Sequence, residues 1–230
     1  MRRWFLIALM ALAGLALAQV PPSPAELEGY TGLLAAAAKG DVARIESLLE
    51  GGASPEVRDR AGRTPLLVAA HLGQHAAARA LLRGGADPNA LDNQRYDLIT
   101  IAAVRNDAQM IRVGLAGGAS PKNVTSPYDG TALIAAAHLG HVEAVRVLLE
   151  AKAPLDHVNN LGWTALHEAI ILGDGGPRHT EVVRLLLEAG ANPNLADRGG
   201  VTPLQHARQR GYTGMVRLLE QAGMENKRNP

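Results

Sequence analysis

The 230-residue chain contains no cysteine, which excludes disulfides, thiol catalysis and every zinc site built on thiolates. Aromatic residues are nearly as scarce, at 3% against 47% hydrophobic residues overall. That balance argues against a core assembled on large rings and for one packed from Ala and Leu on helices. An excess of one charge is missing as well: the formal net charge is +1 and no basic run stands out. Nothing in the balance favours a nucleic-acid partner.

What is present begins with Arg2-Arg3, an apolar stretch at 4–15, and Ala16-Leu17-Ala18 before Gln19. This reads as a positive n-region, an h-region and an A-x-A site, so residues 1–18 are expected to be a cleavable secretory signal. The uncharged run at 4–18 has 15 residues, short of the roughly 20 that a spanning helix needs. No stable membrane span is therefore expected after cleavage, and the absence of cysteine excludes lipoprotein attachment. Loss of the two Arg turns the formal charge from +1 to −1. Residues 19–28 carry Pro21, Pro22 and Pro24 and read as a short stiff spacer that frays.

From there the chain repeats. Thr31, Thr64, Thr131, Thr164 and Thr202 fall in one register, with Asp97 in the remaining slot; most steps are 33 or 34 residues and the last is 38. The stretch 62–89 shows the unit. Thr64-Pro65 starts a helix, since a Thr hydroxyl caps an orphan amide and Pro tolerates the first helical position. Gly73 ends it, a second helix runs through Leu81-Leu82 to Gly84-Gly85, and Asp87-Pro88-Asn89 turns the chain. One such unit is too small to bury its own apolar face and needs neighbours.

The motifs T-P-L-L-V-A-A at 64–70, T-A-L-I-A-A-A at 131–137, T-A-L-H-E-A-I at 164–170 and T-P-L-Q-H-A-R at 202–208, at this period, resemble the ankyrin repeat. The resemblance implies an all-α solenoid of helix-turn-helix units with short β-hairpin fingers. Six repeats are expected, at about 29–57, 58–90, 91–123, 124–157, 158–195 and 196–224, with 225–230 as a C-terminal tail. The first and last units depart from the pattern, as terminal repeats do. The third is expected to be the weakest. Asp97-Leu98 replace Thr-Pro, Asn106 replaces the turn Gly, and Gly114 replaces a helix Leu, where loss of a side chain predicts a packing gap. Between Gly173 and His179 an insertion of loop-forming residues is expected to bulge without breaking either helix.

No H-E-x-x-H, G-x-S-x-G or P-loop spacing occurs, so no enzyme activity, metal or cofactor is expected. His141, His167 and His179 occupy positions that are structural in the resembled family. His71 and His138 share a helix phase but stand two repeats apart, roughly 20 Å at 8–10 Å per layer, too far to share an ion.

The remaining signal concerns binding. In the resembled family the hairpin tips and the ends of the first helices face a concave surface. The residue before the aligned Thr is Tyr30, Arg63, Tyr96, Gly130, Trp163 and Val201 through the six units. Rings placed off the core in one phase read as contact anchors, because Tyr, Trp and Arg are enriched at hot spots. The candidate contact residues are therefore Tyr30, Arg63, Tyr96 and Trp163 at the tips, with His71, Arg105 and His138 at the helix ends. A competing account is that each ring only covers its own hairpin. The expected function is non-catalytic binding of another protein by a monomer in a bacterial periplasm or beyond. The alternative is a small-ligand or cell-wall glycan binder that stacks sugars on the tip aromatics.

Overall fold

The computed structural model describes residues 19–228, with side chains as far as Met224. The segment read as a secretory signal lies outside the described residues. Those residues form thirteen helices: α1 (Pro24–Gly29), α2 (Gly32–Lys39), α3 (Val42–Glu50), α4 (Pro65–His71), α5 (His75–Arg83), α6 (Leu98–Val104), α7 (Ala108–Ala116), α8 (Ala132–His138), α9 (Val142–Glu150), α10 (Ala165–Ile171), α11 (Pro177–Glu188), α12 (Pro203–Arg210) and α13 (Thr213–Arg228). After α1 they pair into six helix-turn-helix units, in keeping with the expected repeat count.

The caps explain the starts. Thr64, Thr131, Thr164 and Thr202 each accept a hydrogen bond from the amide three residues on, and Asp97 does the same for Thr100. Thus Asp97 replaces the cap without loss of function there. The first helices α2, α4, α6, α8, α10 and α12 stack in one layer, and the second helices α3, α5, α7, α9, α11 and α13 stack in another. A first helix in mid-array is covered on both sides by its neighbours. All seven residues of α4 are accordingly buried, and small Ala side chains such as Ala69, Ala102 and Ala136 let the layers approach. The core runs unbroken from Leu33 to Leu219.

The fingers are shorter than expected. Among the described residues no strand forms, and the only β-bridge joins Thr125 to Gly130. Most fingers close with one main-chain ring bond, such as Asp59 N to Arg63 O (3.1 Å) or Asn159 N to Trp163 O (3.0 Å). The side chain at the first position captures the tip amides: Asp59 Oδ1 accepts from both Ala61 N and Arg63 N at 2.9 Å. Those donors are then unavailable to a longer ladder. Successive fingers are instead stitched together, through Asn93 N to Ala61 O, Ser126 N to Arg95 O and Asn160 N to Tyr128 O, each 2.9 Å.

Three local expectations need correction. The proline-rich spacer does not fray: Ser23 and Glu26 form a reciprocal capping box at α1, Pro22 is buried, and Arg63 bonds Val20 O at 2.9 Å. The tail is not separate, because α13 continues to Arg228. Nor does Gly114 leave a gap. A Cβ there would stand 2.8 Å from Leu98 Cδ2, so Leu98, the residue in place of the usual Pro, occupies the space that the missing side chain vacates. Only part of the insertion bulges: 174–176 form the loop, while Pro177 and Arg178 are taken up as the first turn of α11, which has 12 residues where α3, α5, α7 and α9 have nine; Tyr212 pins the base of the loop by donating to Gly173 O at 3.0 Å.

Candidate protein-binding face

The tip row is not the row of exposed anchors that its sequence phase suggested. Arg63 and Tyr96 are each 1% exposed and His71 is 3% exposed. The position before the cap lies where finger meets first helix, and adjoining repeats cover it. Arg63 donates to Asp59 Oδ2 (2.6 Å), to Val20 O (2.9 Å) and to the Glu26 carboxylate. Burial tends to lower its pKa, but the bonds to carboxylates outweigh this and hold it raised. Tyr30 donates to the same Asp59 Oδ2 at 2.5 Å, and burial followed by that bond pushes its phenol well above the ordinary value. Tyr30 and Arg63 therefore clasp the N-terminal segment to the second repeat.

Burial likewise pushes the Tyr96 phenol up to about 12. It pushes the His71 imidazole down to about 4, with the charges of Arg63 and Arg105 assisting. Arg63, Tyr96 and His71 thus have no side chain to offer as exposed contacts. Trp163 and His138 remain partly exposed, and Arg105 is exposed.

The structure gathers a different set of residues at the junction of fingers and first helices across repeats three to five. A small cleft of about 30 Å³, room for roughly one water, is lined by Tyr96, Tyr128, Ile134, Leu161 and Leu172, with polar groups from Thr100, Thr125, His138, Asn159 and Glu168. Glu168 is only 3% exposed. Its carboxylate accepts from Asn159 Nδ2 at 2.8 Å and pairs with His138 Nδ1 at 3.0 Å. Thr100 and Thr125 bond each other through their hydroxyls at 2.9 Å. Of the expected contacts, His138 and the buried Tyr96 meet here.

Sequence reasoning passed over Glu168 and Asn159, although their register carried a signal. Glu168 stands where the other first helices have Ala35, Val68, Ile101, Ala135 and His206, so a carboxylate replaces a mostly apolar residue. Asn159 stands where Asp59, Asp92 and Asp197 open other fingers. A second missed feature is apolar exposure on the fingers: Val57, Val124 and Val158 are 38%, 40% and 51% exposed. No helix among the described residues is long and apolar enough to cross a membrane.

Family models for ankyrin repeats match the chain at residues 8–92 and 98–197, as sets of three copies, and at 177–220, as many copies. The chain is an ankyrin repeat protein. An ankyrin repeat domain from Acinetobacter baumannii AYE is 48% identical with a TM-score of 0.79, covering 83% of this chain and 97% of that one. The ankyrin repeat protein YahD of Escherichia coli is 42% identical over 102 residues, which are 44% of this ankyrin repeat protein and 51% of YahD. The chain thus spans about half of YahD's length. Cyclin-dependent kinase 4 inhibitor B of Rattus norvegicus is 44% identical over 92 residues, 40% of this chain and 66% of that protein. Ankyrin repeat domains mediate protein–protein interaction, and the fold is generally a non-catalytic module.

Proposed function

We propose that this ankyrin repeat protein grips another protein with its finger side, without catalysis, after export to a bacterial periplasm or beyond. The observation that carries the reading is the exposure of Val57, Val124 and Val158 on three fingers. The other large apolar side chains exposed to this degree among the described residues are Val20 and Met224, near the two ends. Apolar side chains grouped on one side of a stack mark an interaction surface better than scattered ones do. Partly exposed Trp163 and exposed Arg105 add residue types that dominate hot spots. By its name, the rat relative acts on another protein, a kinase. Export is supported by the charge, apolar run and cleavage pattern of residues 1–18. The glycan reading has lost its stacking row, since Tyr96 is buried and the Tyr30 hydroxyl is bonded to Asp59.

A photo-cross-linker placed at Val124 or Val158 should capture one and the same native-host protein, and one placed at Arg112 on outer helix α7 should not. Trp163→Ala should weaken that capture by roughly thirtyfold in affinity, the equivalent of about 2 kcal/mol, with little change in melting temperature. Capture from Arg112 equal to that from Val158, or a Trp163→Ala variant that melts far lower yet binds normally, would sink the proposed face. Intact mass of the native-host protein should correspond to a start at Gln19; a retained Met1 would refute export by cleavage.

A further inference from the structure

The clasp at the N-terminal end takes hold of the chain one residue after Ala18. Arg63 Nη1 donates to Val20 O at 2.9 Å, while Nε and Nη2 serve Asp59 and Glu26. Pro22 is buried just beyond. The backbone is therefore fastened from Val20 onward, and Gln19 stands at the free side of the fastening. Its side chain is not fastened. Gln19 Oε1 and Nε2 are both buried, and neither has a hydrogen-bond partner among the described residues. A primary amide in that position is costly, and no bond commits it to the fold. Removal of residues 1–18 brings a second polar group to the same point, the α-amine of Gln19. As an ammonium it would stand one residue from the carbonyl that the Arg63 guanidinium holds, cation near cation. The carboxylates of the clasp are already engaged, Glu26 by Arg63 and Ser23 N, and Asp59 by Tyr30, Arg63 and the tip amides.

We propose that Gln19 is a modification site, closed in the mature chain to a pyroglutamyl residue. The assignment rests on the reading of residues 1–18 as a cleaved secretory signal. The neutral α-amine attacks Cδ of its own side chain, the N–Cδ bond closes a five-membered ring, and the Cδ–Nε2 bond breaks. Nε2 leaves as ammonia with the proton that the amine gives up, so no oxidant, reductant or co-substrate is consumed. Closure needs only rotation within Gln19, and the bond from Arg63 to Val20 O does not oppose it. The product lactam has one N–H and one carbonyl where the open form has a primary amide and an ammonium. Ring closure thus discharges the cation near Arg63 and leaves fewer polar groups in want of partners. A chain that began at Val20 could not close in this way.

The test is mass spectrometry of the mature protein from the native host. Its intact mass should lie one ammonia below that of a chain starting with an open Gln19. Tandem spectra of the N-terminal peptide should place the loss on Gln19, because an asparagine that closes to a succinimide loses ammonia too. An amine-reactive label should mark lysines and find no α-amine. Gln19→Ala should still be cut after Ala18, show no mass deficit and regain a labelled α-amine. A start at Gln19 with the amide open would overturn the proposal and leave export standing, as would a cut at another residue. A retained Met1 would overturn both. Equal loss of ammonia from a synthetic peptide of residues 19–30, carried through the same work-up, would assign the ring to handling and also overturn the proposal.

Discussion

Asp59, Asp92 and Asp197 open their fingers by accepting the tip amides with a carboxylate oxygen. Asn159 does the same with its amide oxygen and has an N–H₂ left over, which it gives to Glu168. The two departures from the repeat pattern are therefore one joint change: a buried carboxylate is tolerated because the neighbouring aspartate has become a donor. Asn159→Asp would set two carboxylates within bonding distance, and one of them could ionise only against the other. We expect a loss of at least about 2 kcal/mol at pH 7, measured by denaturant unfolding, with the deficit shrinking as pH falls and one carboxyl takes a proton. A deficit unchanged between pH 7 and pH 5 would contradict this account. The tip positions teach the complementary lesson. Their phase was legible in the sequence, but whether a ring at that phase faces solvent depends on what the neighbouring repeat lays over it. For Tyr96 that cover comes from the stack, and for Arg63 it comes from Val20 and Glu26, 43 and 37 residues earlier in the chain.

Among elements, the third repeat and α1 show how local weakness read from single residues is repaired by a partner. Leu98 beside Gly114 fills the space a helix leucine would have used, and Asn106 takes the left-handed turn at φ 55°. Gly114→Leu is consequently expected to overpack the site and destabilise by about 1–3 kcal/mol, seen as a lower urea midpoint. A gain in stability would restore the idea of a gap. The helix α1 was not legible because its anchor is tertiary: six residues are too few to hold a helix alone. Arg63→Met should release it. Hydrogen exchange of the amides at 27–30 should accelerate by at least tenfold, with far smaller change in α8 and α9. Uniform acceleration across the stack would mean that Arg63 supports the whole array and not a clasp.

At the scale of the molecule, the architecture was the most legible layer, because cap, apolar pair and turn recur at one period and each implies the next. The stack is also where the buried imidazoles act together. Burial lowers the pKa of His71 to about 4 and lowers those of His141 and His167 below 6.5. The unfolded chain therefore binds protons at a higher pH than the folded one, and stability is lost as pH drops below 6.5, at up to about 1.4 kcal/mol per unit for each group. For His71 the loss is complete near pH 4. Melting temperature should fall between pH 6.5 and 5, a window above the range of Asp59 and Asp197, whose carboxyls are held lower than usual. His71→Leu should flatten that slope; an identical slope would assign the effect elsewhere.

The insertion between α10 and α11 has a consequence for engineering. Its two ends are fastened: His179 bonds Asp174 at 2.8 Å and His138 O at 3.0 Å, while Tyr212 holds Gly173 O and its ring lies 2.4 Å from where a Cβ on Gly175 would sit. Because Pro177 and Arg178 already belong to α11, the splice point between those fastenings is confined to Gly175-Gly176, where foreign sequence could be grafted into the array ahead of the helix, provided that Gly175 itself is kept.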